Sequence, residues 1–388
     1  MVLYMRCNYR IATIYLFFCA IILLACDEKQ EVSIEPIPVI QVTDYFNEHF
    51  APVSVVPIET TETFLLSDVD KVIAVGDDYL VLSKNVDTVA LIDGNTGKVK
   101  CWIHRIGNGP GEYRKIVDVA YDDENRHIVV MNDYQRLQFY DLEGNFLYQK
   151  EVNDSFENLS YADTCLYMQN PLNGYACYPY KFTTINLSDG SVEKWGNSKS
   201  IEFPIRSRGC HMLHSRRLLF SAPLDFTIYR ADKNGYEALY NIGYPTDKFT
   251  DDFLELSVND PMEFFKRVSS EKIVYSINTI RETEKHVVFR NNRNELCFLN
   301  KEANKVYADG FILWDFFCLS PQEYVPFEGN SNTLLFTVSA EKLLKELKTC
   351  DVQDEEILKV VRQQGINTDD NPILIVFQEQ LVDKSILK

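Results

Sequence analysis

Residues 79–84 (YLVLSK) and 88–102 (TVALIDGNTGKVKCW) return in altered form as residues 127–133 (HIVVMND) and 136–149 (RLQFYDLEGNFLYQ). Each copy has a short apolar strand, a few polar residues, a second strand ending in Asp, a Gly turn and a third strand. A repeat of this kind fixes architecture more firmly than an isolated motif does. With the strands that precede each copy, the first set is 71–75, 79–83, 88–93 and 99–103, and the second is 116–121, 128–132, 137–141 and 146–152. Four antiparallel strands in succession make one blade of a β-propeller.

Weaker copies follow. A third set runs 159–162, 165–169, 182–187 and 192–195, and a fourth shows three strands at 217–222, 226–231 and 237–241. A fifth runs 273–280, 286–290, 295–300 and 305–308, and a sixth joins 317–319, 334–338 and 373–378. The spacing exceeds that of a compact blade, so insertions are expected. Two look helical: 250–270, and 340–364, where Leu343, Leu344 and Leu347, then Ile357, Leu358 and Val361, fall at helical spacing. Both apolar stripes read as faces packed onto the propeller. The run 372–378 (PILIVFQ) is a buried strand near the C-terminus. A ring needs its ends joined, so the strand near Val53 is expected to complete its blade and remove an open edge. The fold class is all-β, a six-bladed propeller of four-stranded antiparallel blades over residues 51–388.

Ahead of it lies an export pattern. Arg6 and Arg10 precede an apolar run, residues 11–25, short for a membrane span and of the length a signal peptide uses. The run ends Leu23, Leu24, Ala25, Cys26, which resembles a bacterial lipobox. Residues 1–25 are read as the signal peptide, Cys26 as the lipidated residue, and 26–50 as a lipid-anchored linker, with Pro36 and Pro38 favouring an extended tether. The acidic residues 27–31 behind Cys26 fit either a solvated linker or a surface-export signal. The expected location is the outer membrane, on its periplasmic or cell-surface face.

Charge narrows the partners. Removing residues 1–25 takes away two Arg and no acids, which moves the net charge from −18 to −20. So acidic a body repels polyanions, which argues against nucleic acid and against tight docking on anionic lipid. Contact with a bilayer is expected through the lipid anchor alone. Of the ten Cys, seven follow Cys26, an odd number with no Cys-x-x-Cys pair. Most read as free core thiols.

Residues 105–113 (RIGNGPGEY), with Asp118, Asp133 and the turn 140–146 (YDLEGNF), resemble the signature of Bacteroidetes six-bladed β-propeller lipoproteins, a family distantly similar to NHL-repeat propellers. The strand 373–377 (ILIVF) after a helical insert is similar to that family's C-terminal end. The resemblance covers roughly residues 50–380. It implies an exported, usually lipid-anchored propeller and no particular reaction.

Chemistry is sparse in the sequence. The stretch 107–111 (GNGPG) lacks the Gly-Lys-Ser/Thr ending of a phosphate loop and precedes a strand. It reads as a tight crossing between blades. Arg105, Glu112 and Tyr113 flank that crossing and are the candidate ligand-binding residues, placed at a channel mouth where Arg offers a planar fork and Tyr a flat face. His211 and His214 have H-x-x-H spacing, which on a strand puts the rings on opposite faces. No metal site is assigned. No cofactor is called for; the acid pairs at 122–123, 251–252 and 369–370 read as solvated loops, with Ca²⁺ the minor alternative. The functional expectation is a module binding a glycan, a peptide or an envelope protein. The alternative is a propeller hydrolase or lyase acting on a glycan or lactone at the channel mouth.

Overall fold

The computed structural model describes residues 34–133, 135–170, 180–197, 209–310, 312–314, 317–349 and 365–380. The chain opens with β1 (Pro36–Ile37), β2 (Val39–Val42), α1 (Tyr45–His49) and β3 (Phe50–Pro57). Blade 1 is β4 (Lys71–Val75), β5 (Asp78–Ser83), β6 (Thr88–Asp93) and β7 (Val99–Ile103). Blade 2 is β8 (Ile116–Asp122), β9 (His127–Asn132), β10 (Arg136–Tyr140) and β11 (Phe146–Glu151). Blade 3 is β12 (Asn158–Ala162), β13 (Cys165–Gln169), β14 (Tyr180–Asn186) and β15 (Val192–Asn197). Blade 4 is β16 (Met212–His214), β17 (Leu218–Ala222), β18 (Asp225–Asp232) and β19 (Gly235–Ile242). Helices α2 (Asp251–Asn259) and α3 (Pro261–Ser270) lead to blade 5: β20 (Ile277–Glu282), β21 (His286–Asn291), β22 (Leu296–Asn300) and β23 (Lys305–Asp309). Then come β24 (Ile312–Trp314), β25 (Phe317–Leu319), β26 (Phe327–Glu328), β27 (Thr333–Val338), α4 (Ala340–Thr349) and β28 (Ile373–Glu379).

The first strand of blades 1 to 5 lies innermost, and these strands pack on one another around the axis. Each blade is covered on both faces by its neighbours. That is why strands such as β12 and β13 are buried at every position and read in sequence as apolar runs rather than alternations. Gly111 sits in the left-handed region at φ 71°, and a Cβ there would lie 2.5 Å from the Phe146 ring, so the crossing into blade 2 requires glycine.

The ring closes as anticipated. Blade 6 has the order β27-β28-β3, with β28 antiparallel to both, so N- and C-terminal segments share one sheet. Across the joint Phe46 stacks on Phe50, and Phe46, Phe336 and Phe377 meet edge to face. A buried polar chain adds to it. The Asn300 amide donates to the Tyr45 hydroxyl, which faces His286 Nε2 at 3.1 Å. His286 Nδ1 lies 2.6 Å from Glu379, whose carboxylate also takes the Thr283 hydroxyl and the Lys285 N–H.

Four sequence expectations change. Residues 36–50, read as part of a tether, belong to the fold. β1 pairs with β19 and β2 with β23, both in parallel, which covers the outer edges of blades 4 and 5. Pro36 and Pro38 suit an edge because they lack an N–H to pair. Blade 6 shows three strands among the described residues, not four. Residues 317–319 form a separate hairpin with β24, and β26 adds to the inner edge of blade 1. Blade 4 gains the inner strand β16, three residues long and too short to stand out in the sequence. The helical reading of 340–364 holds for α4, where Ala340 and Leu343 are buried; residues 350–364 lie outside the described residues. The 250–270 insertion is two helices, α2 and α3.

Candidate functional site

A cavity of about 270 Å³ lies over the propeller axis. Each blade supplies a polar residue to its wall: Lys71, Asp118, Asn158, Cys210, Arg290 and Tyr324, the last bridged to Phe336 of β27. Lys71, Asp118 and Asn158 stand on the inner strands β4, β8 and β12, Arg290 on β21, and Cys210 and Tyr324 just outside the named strands.

The floor of the cavity is a buried charge cluster. Lys71 Nζ donates to the carbonyls of Leu159 at 2.6 Å and Val119 at 2.9 Å, and lies 3.2 Å from Glu328 and 3.4 Å from Asp118. Burial alone would depress its pKa, but Asp118 and Glu328 outweigh that and hold the ammonium above its ordinary range. Asp118 spends its oxygens on the N–H groups of Val119 and Leu159, and Glu328 takes the Ser160 hydroxyl. Arg281, fully buried, donates to the carbonyls of Phe327, Gly329, Ser331 and Thr333, which clips the segment before β27 onto blade 5. Burial draws its pKa down to about 10, so it stays charged at neutral pH.

Burial pushes the Cys210 thiol up to about 12, and its Sγ donates to the Met212 carbonyl, so it is no nucleophile near neutrality. His211 is buried, its pKa is drawn down to about 4 by burial, and its N–H donates to Asn158. Among the described residues, Arg290 makes one hydrogen bond, from Nε to Asn278 at 3.3 Å, and enters no ion pair. The Tyr324 hydroxyl is buried without a hydrogen-bond partner among the described residues. Among those residues, no three His, Cys, Asp or Glu side chains gather where they would hold a metal ion. Of the acid pairs weighed for Ca²⁺, Asp122 and Asp370 are tied to turn residues Asn125 and Asn367, and Asp251 and Asp252 open α2.

The sequence candidates sit elsewhere on the molecule. The 105–113 segment carries the chain from β7 to β8, as the glycines implied, and none of Arg105, Glu112 and Tyr113 lines the axial cavity. Tyr113 is fully buried. Its hydroxyl lies 3.1 Å from the carbonyl oxygens of Ile103 and Asp87 and accepts the Arg105 N–H. Arg105 donates to the Gly144 carbonyl, and Glu112 takes the Gly109 N–H. Their partners therefore lie within the crossing and the adjoining turns. Cys26 lies outside the described residues. The sequence reading missed Lys71, Arg281, Arg290, Tyr324 and Glu328. A signal was there: a charged residue stands in several buried inner strands, as in KVIAV (Lys71–Val75) and INTIRE (Ile277–Glu282).

The sequence profile of a domain of unknown function, DUF4934, matches residues 36–378. The chain belongs to the DUF4934 family. The matched stretch starts at β1 and ends inside β28, so this DUF4934 unit is the closed ring together with its outer edge strands. No functionally curated protein matches the chain. Among solved structures, the fold is similar to a "Putative exported protein" of Bacteroides fragilis, with a TM-score of 0.68 at 15% identity over 88% of this chain and 99% of that one. A DUF4221 family member of Bacteroides vulgatus aligns with a TM-score of 0.48 at 10% identity, covering 86% and 99% of the two chains.

Proposed function

We propose that this DUF4934 protein is an exported, lipid-anchored binding module of the cell envelope, and that its ligand occupies the axial cavity. The observation that supports this reading is the cavity itself, where strands β4, β8, β12 and β21 and the segments at Cys210 and Tyr324 bring polar groups from six blades together. Sites held by strands are positioned more exactly than sites on loops. Export is supported by the lipobox-like run ending at Cys26 and by the printed name of the Bacteroides fragilis relative.

Two experiments test the two halves. Cys26→Ser, in a chain whose signal is still cut, is expected to move the protein from the membrane to the soluble fraction; unchanged fractionation rejects the anchor. Gln322 is exposed at the cavity rim, so Gln322→Trp is expected to cover the mouth without disturbing the fold. In a screen of glycans and peptides against the full chain in detergent, with and without Ca²⁺, a bound ligand should lose affinity by tenfold or more in that variant. Unaltered affinity for every ligand found rejects the cavity as the site.

A further inference from the structure

We infer that the axial cavity is a site for a small organic monocarboxylate, gripped by the Arg290 guanidinium and the Tyr324 hydroxyl. The inference rests on the reading of this cavity as the ligand site and names the chemistry of what fills it.

The argument is an inventory of donors and acceptors. The side-chain carboxylates and the Asn158 amide at the cavity each already take a hydrogen bond. Asp118 takes two backbone N–H groups, Asn158 takes the His211 N–H, and Asp70 takes the Lys84 N–H at 2.6 Å. Donors remain unused. Arg290 uses Nε on Asn278, which leaves both terminal nitrogens, and the Tyr324 hydroxyl has no partner although the residue is only 1% exposed. Lys84 adds an ammonium at the rim that enters no ion pair among the described residues. A buried hydroxyl without a partner is unfavourable by its full desolvation, and at a cavity wall an acceptor on a ligand would relieve that cost. The missing partner is an acceptor.

Charge gives the valence. Among the residues that line the cavity, the cations Lys71, Lys84 and Arg290 face the two carboxylates Asp70 and Asp118. One positive charge is left over, in a protein whose net charge is −18. Arg290 and Tyr324 each lie in the other's field, so the surplus falls at the unfilled donors. A monoanion balances it. A phosphate dianion would exceed it and face Asp70 and Asp118. Arg binds a carboxylate through two parallel N–H bonds, and the Tyr324 hydroxyl supplies a third donor. The volume of about 270 Å³ lies below the usual range for drug-sized ligands, roughly 300–1,000 Å³, which fits a hydroxy acid or a single uronate unit.

The test uses the full chain in detergent at constant ionic strength. Sodium lactate, benzoate and D-glucuronate are titrated by calorimetry, with D-glucose as the uncharged arm and inorganic phosphate as the dianionic arm. At least one carboxylate is expected to bind saturably and more tightly than glucose or phosphate. Arg290→Gln should weaken it by about 10–100-fold and Tyr324→Phe by roughly tenfold. Tyr324→Phe removes an oxygen that bonds nothing in the free protein, so it should fold with unchanged or raised stability and keep the test decisive if Arg290→Gln unfolds. Preference for phosphate, or carboxylate binding unaltered in Tyr324→Phe, overturns the inference. Glucose binding that Gln322→Trp abolishes would retain the cavity as the ligand site and overturn the carboxylate. Binding by no probe, with no ligand sensitive to Gln322→Trp, overturns both.

Discussion

Ending the chain at Asp370 is expected to abolish cooperative folding. The truncation removes β28, the middle strand of blade 6, and leaves β27 and β3 with nothing between them. Five side chains lose their burial, Ile373, Leu374, Ile375, Val376 and Phe377, none more than 4% exposed. At about 1.5–3 kcal/mol for each fully buried large apolar side chain, the loss is roughly 8–15 kcal/mol. That equals the whole stability of a typical domain, about 5–15 kcal/mol. Urea unfolding followed by near-ultraviolet circular dichroism checks this. A cooperative transition at the parental midpoint would show that the ring does not depend on its closing strand. Glu379→Ala is the milder form of the same lesion. It leaves His286, Thr283 and the Lys285 N–H buried without their shared acceptor, a loss of about 3–5 kcal/mol. Burial alone would raise the Glu379 pKa, but the bonds from His286, Thr283 and Lys285 outweigh it and hold the carboxyl below its ordinary range. A depressed carboxylate stabilises the fold above its unfolded pKa and loses that contribution as pH falls through the folded value. The stability gap between parent and Glu379→Ala should therefore narrow on acidification.

Lys71→Met is expected to destabilise the protein by about 3–5 kcal/mol, far more than a change of one lysine on a surface. Methionine fills most of the space but leaves Glu328 and Asp118 buried without their cation, and frees the carbonyls of Val119 and Leu159. Adding Glu328→Gln to Lys71→Met should recover part of the loss, because a neutral amide no longer needs the ammonium. The double-mutant cycle from denaturant midpoints is the measurement. Additive effects of the two changes would show that the pair is not coupled and that the axial cluster is not a unit.

Both effects arise where the fold was readable and the partners were not. Strand, turn, strand at regular intervals was visible at 79–102 and 127–149 because β6, β9 and β10 are covered on both faces and are buried at nearly every position, which favours apolar residues along them. The pairing of the Val53 region with the last strand followed from the need to join the ends of a ring. The 105–113 glycines were legible as a crossing for the same local reason, since Gly111 needs a positive φ and the space against Phe146. The ligand role assigned to Arg105, Glu112 and Tyr113 came from side-chain type alone, and the structure shows Tyr113 bonded to its own crossing.

The axial site depended on information the linear order does not hold. Lys71, Asp118 and Glu328 come from three distant parts of the chain, and nothing in any one window names its partners. They meet only because closure at β28 sets six inner strands around one axis. The same closure turns residues 36–42 from a Pro-containing tether into edge strands on blades 4 and 5, since open edges exist for them only once the blades have formed. The sequence by itself determined the repeat, the strand content and the joining of the ends, because those follow from local periodicity and from burial on both faces. Which polar side chains share the interior was decided by the tertiary structure, because a charge in an inner strand is tolerable only when the curvature of the whole ring brings its partner to it.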